Sequence, residues 1–529
     1  MFLPGAAKLT NFIRRYSLPL SIIGITILFI LYTYGLTENP PGFYQDEAAF
    51  AYNAYLLAKT GYSEFGVRWP LFIQTFTWPF TVYSNPVCIY LLAAFNLVFP
   101  PSTWLARLLS SVAGFETGLL LGLLGYRISR KATIGVIVGF TALITPWLFE
   151  VDRLFFDSSF YPLALTLFLL SLYKAHTKER WGWFNVAALV TTLALLTYTY
   201  TIGRMLAGLF ALGLVFFAFN KGRLFDVVRV WMGYGIALIP LAIFNLRHPG
   251  ALTSRFWALS YVSAEKTLQG IVFRFITRYF QDLSFARLLT TGDINPRHHV
   301  PGATGSLLAA PFILALLGIV IIFRRHRRDP WWRFVVFGLL AGVVPGALTV
   351  DAFHTGRMIA CPIFLLLLTI PALERLIQNG QENERSYKIG SGAEDLAESI
   401  NGDRTVSLRR AVLVILLLAT IIQAAYFQTV FWRLGPKRVF VLDANYKDVY
   451  DVAVAMHSRP IYLADGQFGP GYIHAVWYAI LEGRNTSEFV HLNYGEKAPS
   501  GSLVISSEGS CANCEVVLTS GQYSVYRQF

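Results

Sequence analysis

The feature that most constrains this chain is the recurrence of long apolar runs, such as SLPLSIIGITILFILYTYGL (17–36) and AVLVILLLATIIQAAYFQTVFW (411–432). About 18 or more apolar residues suffice for a membrane-spanning helix. Candidate spans fall at 17–36, 104–125, 132–149, 159–175, 182–199, 205–219, 230–246, 304–323, 332–350, 358–373 and 411–432. Of 529 residues, 55% are hydrophobic and 14% charged, too little charge for the surface of a soluble domain of this size. The expected fold is an α-helical polytopic membrane protein with about 11 transmembrane helices. The net charge of +13 does not point to nucleic acid, because the basic residues gather in short loops between spans.

Those loops set the expected topology. Lys8, Arg14 and Arg15, then Arg127, Arg130 and Lys131, then Lys174, Lys178 and Arg180, then Lys221, Arg223 and Arg229, and finally RRHRRD (324–329) alternate onto one side. Lys/Arg excess in short loops marks the cytoplasm. The pattern holds if PVCIYLLAAFNLVF (86–99), short for a span, lies against the outer face. The run after Arg15 lacks a small-residue cleavage site and is expected as a first span, not a cleaved signal. The expectation is a multi-pass protein of the cytoplasmic (inner) membrane with its N-terminus inside and its C-terminus outside.

Two segments depart from this pattern. Residues 374–410, rich in Gly, Ser, Glu and Asn, read as a flexible cytoplasmic linker. Residues 433–529 alternate strand-like RVFVLD, PIYLAD, EFVHL and SLVIS with helix-like KDVYDVAVAMHS and GYIHAVWYAILEG. They are expected to form a small extracytoplasmic α/β domain. Cys511 and Cys514, in CANC ahead of a strand-like EVVLTS, read as a disulfide in an oxidising compartment. DGQFGPG (465–471) reads as a turn, not a nucleotide loop.

The charged residues that call for explanation sit at span ends. Asp46 and Glu47 open a helical pattern over 47–60, where an N-cap and a dipole-complementing acid would account for them. A partly desolvated carboxylate there would also serve as a general base. Asp157 lies in the second outer loop, TPWLFEVDRLFFDSSFYP (145–162). Arg153 precedes it by four residues, which makes a local salt bridge the plain alternative. TYTYTIGR ends at Arg204 and DAFHTGR at Arg357, with His354 three residues earlier. Snorkelling would explain such arginines, but forked donors also suit phosphate. Acids and arginines on one face of a membrane-embedded body fit chemistry on a phosphate-bearing lipid. A transporter should instead show mid-span charges or paired broken helices, and a membrane sensor would not need Asp46 or Asp157.

In order along residues 10–432, DEAAFAYNAYLLAKTG, GVRWPLF, WLARLLSSVAGFETGLLLGLLGYRISRK, TPWLFEVDRLFFDSSFYPLALTLFLL, YTYTIGR and HTGRMIACPIFLL resemble the membrane-embedded GT-C glycosyltransferases. The resemblance is greatest to the bacterial branch related to protein O-mannosyltransferases and aminoarabinose transferases. It implies a GT-C-like module over 1–432, whose first outer loop (37–103) carries two surface helices at 47–60 and 86–99. It also implies a polyprenyl-phosphate sugar donor and an inverting transfer to a lipid, glycan or protein acceptor. By the same resemblance Asp46 is expected to be the catalytic base or the group that positions the acceptor, with Glu47 its neighbour and Asp157 the second-loop acid. The donor phosphate is expected to be gripped by basic residues, for which Arg153, Arg204 and Arg357 are the candidates, with His354 as a further expected contact. Where relatives carry PWxxxxSR, this chain has Asp152 at the serine position, which leaves its part in the site open.

The remaining signals are weaker. EKTLQGIVFRFITRYFQDLSFARLL (265–289) reads as an interfacial helix anchored among membrane lipids. His298 and His299 share its loop, and some relatives use an acid–histidine metal site. No spacing here matches a zinc pattern, so a divalent metal stays an option and no cofactor is assigned.

Overall fold

The computed structural model describes residues 22–377, 394–467, 469–508, 511 and 513–529. Lys8, Arg14, Arg15, the start of the first expected span, residues 378–393 of the expected linker, Phe468 and Ala512 lie outside the described residues.

Each of the eleven expected spans falls on helix. Five helices among the described residues are long and apolar enough to cross a membrane alone: Thr103–Ser129, Lys221–Arg247, Ala309–His326, Pro330–Ala347 and Ser407–Lys437. Shorter apolar helices such as Ala132–Ile144, Trp183–Thr199 and Gly203–Phe217 pack among them. Thr103–Ser129 and Ala132–Ile144 approach closely because glycines face each other. A Cβ at Gly135 would sit 2.7 Å from the Gly122 carbonyl oxygen, and one at Gly139 would sit 3.0 Å from that of Gly118. Small residues in such stripes let membrane helices approach backbone to backbone. The chain is a multi-pass membrane protein.

The segment before the helix Thr103–Ser129 holds two helices, Gln45–Thr60 and Pro86–Asn96. The second has 11 residues, which at about 1.5 Å per residue cannot span a bilayer. Between them lies a hairpin of β1 (Ile73–Phe76) and β2 (Val82–Ser84), not anticipated from the sequence. In the second loop the expected helical run stops at Val151, and a separate 3-10 turn spans Asp157–Phe160. Arg153 and Asp157 therefore do not share a helix face. Part of the expected flexible linker is also helical, since residues from Glu394 onward belong to the helix Glu394–Leu434. Its opening residues, Glu-Asp-Leu-Ala-Glu, are mostly good helix formers.

The C-terminal domain is a five-stranded sheet of β3 (Ile461–Ala464), β4 (Phe489–Leu492), β5 (Leu503–Ser506), β6 (Cys514–Ser520) and β7 (Tyr523–Gln528), in the order β4-β3-β5-β7-β6. β3 pairs parallel with β4 and β5, and the remaining pairs are antiparallel. RVFVLD, expected as a strand, forms a short 3-10 turn instead (Phe440–Leu442). It ends at Asp443 in the left-handed conformation (φ 58°), which breaks an extended run. The helices Tyr446–Ala455 and Tyr472–Leu481 pack on the sheet. Cys511 and Cys514 form a disulfide.

This domain does not stand apart from the first loop. Phe43, Phe50, Leu57 and Leu92 share one buried cluster with Tyr446, Trp477, Ile505 and Val525. The ring of Phe43 stacks on Trp477 at 5.6 Å.

Candidate active site

The stretch GFYQDE (42–47) turns sharply before its helix. Gly42 has φ +67° and faces the backbone of Leu442–Ala444, where any Cβ would overlap. The helix starts at Gln45, and the Tyr44 N–H donates to Glu47 Oε2 (3.0 Å). Glu47 is fully buried. It accepts from Arg107 Nε at Oε1 (2.9 Å) and Arg107 Nη2 at Oε2 (2.8 Å), and from the Phe155 N–H (2.8 Å). Arg107 also donates to the carbonyls of Leu36 (2.8 Å), Pro40 (2.6 Å) and Gly42 (2.9 Å). Removing one partner of such a pair strands a buried charge at a cost of about 3–5 kcal/mol. Glu47 is thus a clamp on the turn, and it does not line the cavity that Asp46 reaches. One residue apart on a helix means about 100° of rotation, enough to send the two acids to different faces.

Asp46 lines a cavity of about 740 Å³. Asp157, Arg204, His354 and Arg357 line the same cavity, as do Arg255, Asp293, Arg297 and His298. Asp46 Oδ2 lies 3.5 Å from Arg255 Nη2. Asp157 accepts a hydrogen bond from Asn85 Nδ2 (2.9 Å), and Arg204 Nη2 donates to Asn85 Oδ1 (2.9 Å). Asn85 therefore links acid and arginine without direct contact. Burial pushes the Asp157 carboxyl up to about 6, against the opposing pull of Asn85 and Arg255. Arg204 also donates to the Leu252 carbonyl (3.0 Å), while its Nε has no partner. Arg357 Nη1 lies 2.7 Å from both Thr349 Oγ1 and Asp351 Oδ2. Burial, with the nearby Arg357 guanidinium, holds His354 well below its ordinary pKa.

Arg153, expected at the phosphate, lies elsewhere. It donates to the carbonyls of Leu31, Tyr32, Tyr34, Gly35 and Asn39 at 2.7–3.2 Å, closing the end of the helix Ile22–Thr33. A guanidinium so fully engaged has no fork left for phosphate. Asp152 is buried against Gly114 and is not among the cavity-lining residues.

Asp293, His298 and His354 place ligand-type atoms within 4.8 Å of one another. They fit a divalent ion by residue type, although Asp293 already has partners of its own. Asp293 Oδ2 already accepts from the Thr355 N–H and hydroxyl (2.9 Å each) and faces His298 Nδ1 at 3.1 Å, while Oδ1 accepts the Asn295 N–H (2.9 Å). The loops it ties together take up most of the carboxylate, while Oδ1 keeps one acceptor site. The neighbouring His299 points away and pairs with buried Glu150 (2.5 Å).

Sequence reasoning passed over Arg255, Asp293 and Arg297. Arg297 covers the ring of Tyr44 at 4.0 Å. The signal was GDINPRHH (292–299), a dense polar stretch in an apolar chain.

Residues 79–245 match the model of the dolichyl-phosphate-mannose-protein mannosyltransferase family. ArnT from Cupriavidus metallidurans bound to undecaprenyl phosphate superposes with a TM-score of 0.59 at 12% identity, covering 96% of this chain and 97% of that one. The chain has the GT-C fold. The apo state of the same ArnT gives 0.58 at 11% identity, over 96% and 98% of the two chains. No curated protein matches the sequence. The likeness to ArnT extends over nearly the whole of both chains.

Proposed function

We propose that this protein transfers a sugar from a polyprenyl-phosphate donor to an acceptor hydroxyl at the outer face of the cytoplasmic membrane, with inversion. The observation that carries the reading is the convergence of Asp46 and Asp157 with Arg204, Arg255, Arg297 and Arg357 on one cavity of about 740 Å³. Acids suited to a hydroxyl and arginines suited to a phosphate meet in one hollow of a membrane protein. The matched family takes a lipid-phosphate sugar by its name, and ArnT binds undecaprenyl phosphate.

In this reading Asp46 removes the proton from the acceptor hydroxyl. The oxygen attacks the anomeric carbon from the face opposite the phosphate, and the C–O bond to the lipid phosphate breaks. A single displacement inverts the anomeric centre. The leaving phosphate is an anion stabilised by arginine donors, which lowers the need for a general acid. Arg255 leaves Asp46 for the phosphate as the donor enters, which frees the carboxylate to act as base. Asp157 keeps Asn85 and Arg204 oriented. The acceptor class is a lipid, glycan or protein hydroxyl.

The test is binding of the lipid carrier. Purified protein in nanodiscs is mixed with undecaprenyl phosphate and imaged. Headgroup density among Arg204, Arg255 and Arg357 is expected. Saturating lipid that leaves the cavity empty would overturn the reading.

A further inference from the structure

Among its contacts with the turn before Asp46, the C-terminal domain brings one buried carboxylate to the start of the helix. Asp443 is 4% exposed and sits where the chain leaves the short 440–442 turn. Its Oδ2 accepts the backbone N–H of Gln45 at 3.1 Å. That amide belongs to the first residue of the helix bearing Asp46. The first N–H groups of a helix have no partner within it, and a carboxylate at this end also complements the helix dipole. The cap is supplied across 398 residues of sequence.

Asp443 is held in turn. Its Oδ1 accepts from Tyr523 Oη (2.7 Å) and Gln522 Nε2 (3.2 Å), and His474 Nε2 lies 3.4 Å from Oδ2. Burial opposes its charge, but His474 and Tyr523 hold it ionised, with its pKa below the usual carboxylate range. Other contacts fix the same turn against the same domain. Gly42 abuts the backbone of 442–444, and Phe43 stacks on Trp477. Glu47 and Arg107 hold the turn from its other side. Asp46 stands between these two clamps and is the acid that faces the cavity.

We propose that Asp443 is a positioning residue for Asp46: the C-terminal domain caps the catalytic helix from far along the same chain and sets where its base stands. The proposal rests on Asp46 being the base. It assigns the domain a part in catalysis through the first loop, with no substrate contact of its own.

Two measurements on the full-length protein in nanodiscs test it. Hydrogen exchange does not depend on the transferase reading. In Asp443→Ala, amides at the start of the helix should exchange about fivefold faster, matching loss of one cap, while β3 and β5 keep their protection. Unchanged exchange at 45–48 would overturn the proposal, as would equal loosening of the whole sheet.

The second is turnover, followed as release of undecaprenyl phosphate from synthetic undecaprenyl-phosphate sugars with envelope extract as acceptor source. Asp443→Ala should lower kcat about tenfold or more, as misplacement of a reacting group does, with KM for the lipid donor unchanged. Asp443→Asn keeps an oxygen acceptor for the Gln45 N–H and should restore most of the rate. Gly42→Ala, which wedges the turn away from 442–444, should reproduce the kcat loss. A fall in donor affinity with kcat intact, or no rescue by Asn, would overturn the proposal. If Asp46→Asn itself keeps full turnover, the failure lies in the assignment of the base and not in the cap.

Discussion

The acidic and cationic sides of the cavity are built on different terms. Asp46 stands on a turn whose flanking residues are tied down, Gln45 by Asp443 and Glu47 by Arg107. On the cationic side Arg255 is 48% exposed, and among the described residues the buried Nε atoms of Arg204 and Arg297 have no partner. A base must be in place before the reaction, whereas a phosphate clamp needs donors left over for a ligand that arrives and leaves. Held acids and an exposed arginine are the division of labour that the proposed transfer would require.

The contrast is broken most sharply at Asp46. Asp46→Asn is expected to lower turnover by about 10²–10⁴, the range for removing a general base, while the protein inserts and folds normally. Almost as large is the expected outcome for Arg107→Met. It strands Glu47 in the core at a cost of about 3–5 kcal/mol, and appears as loss of folded protein by size exclusion before any assay. If that variant folded well and lost only activity, the clamp on the turn would have to be redrawn.

Asp157 sharpens the comparison through pH. With its carboxyl near 6, transfer should decline as pH falls through about 6, because protonation releases the charge that orients Asn85 and Arg204. Asp157→Asn should flatten that limb in a pH–rate profile at reduced overall rate. On the cationic side Arg204→Lys keeps the charge but loses the fork. Its expected effect is a rise in donor KM of about tenfold, as for loss of one charge-assisted hydrogen bond.

The smallest expected effect lies where the first loop meets the C-terminal domain. Glu64 contacts Tyr472 and Asn53, and burial pushes its carboxyl up to about 7. A carboxyl whose folded pKa is raised binds its proton longer in the folded state, so its contribution to stability falls as pH rises from about 4.5 through 7. Glu64→Gln should therefore raise Tm above about pH 7 and change it little in acid. A lowered Tm at both ends would contradict this sign.

Much of this fold was legible because hydropathy records the bilayer directly: each apolar run is a helix, and 86–96 is one too short to cross. The meeting of Asp46, Asp157, Arg204, His354 and Arg357 followed from charges gathered at span ends on one side. Asp46 and Glu47 could not be told apart, because the partner that removes Glu47 from the cavity is Arg107, 60 residues away. Arg153 looked like a phosphate ligand for the same reason. Its donors go to carbonyls at the end of the first helix, more than 100 residues earlier. Arg255 gains meaning only once residues 252–259 fold over the cavity, and no local pattern announces that. RVFVLD had the composition of a strand, but its final residue adopts a left-handed turn to reach Gln45.

The most direct test of the central claim is mass-spectrometric turnover by wild-type protein and Asp46→Asn side by side in nanodiscs. Each is supplied with a panel of synthetic undecaprenyl-phosphate sugars and envelope extract. The account predicts that the wild type converts one donor to undecaprenyl phosphate, while Asp46→Asn binds that donor and leaves it intact. Equal conversion by both proteins would contradict it.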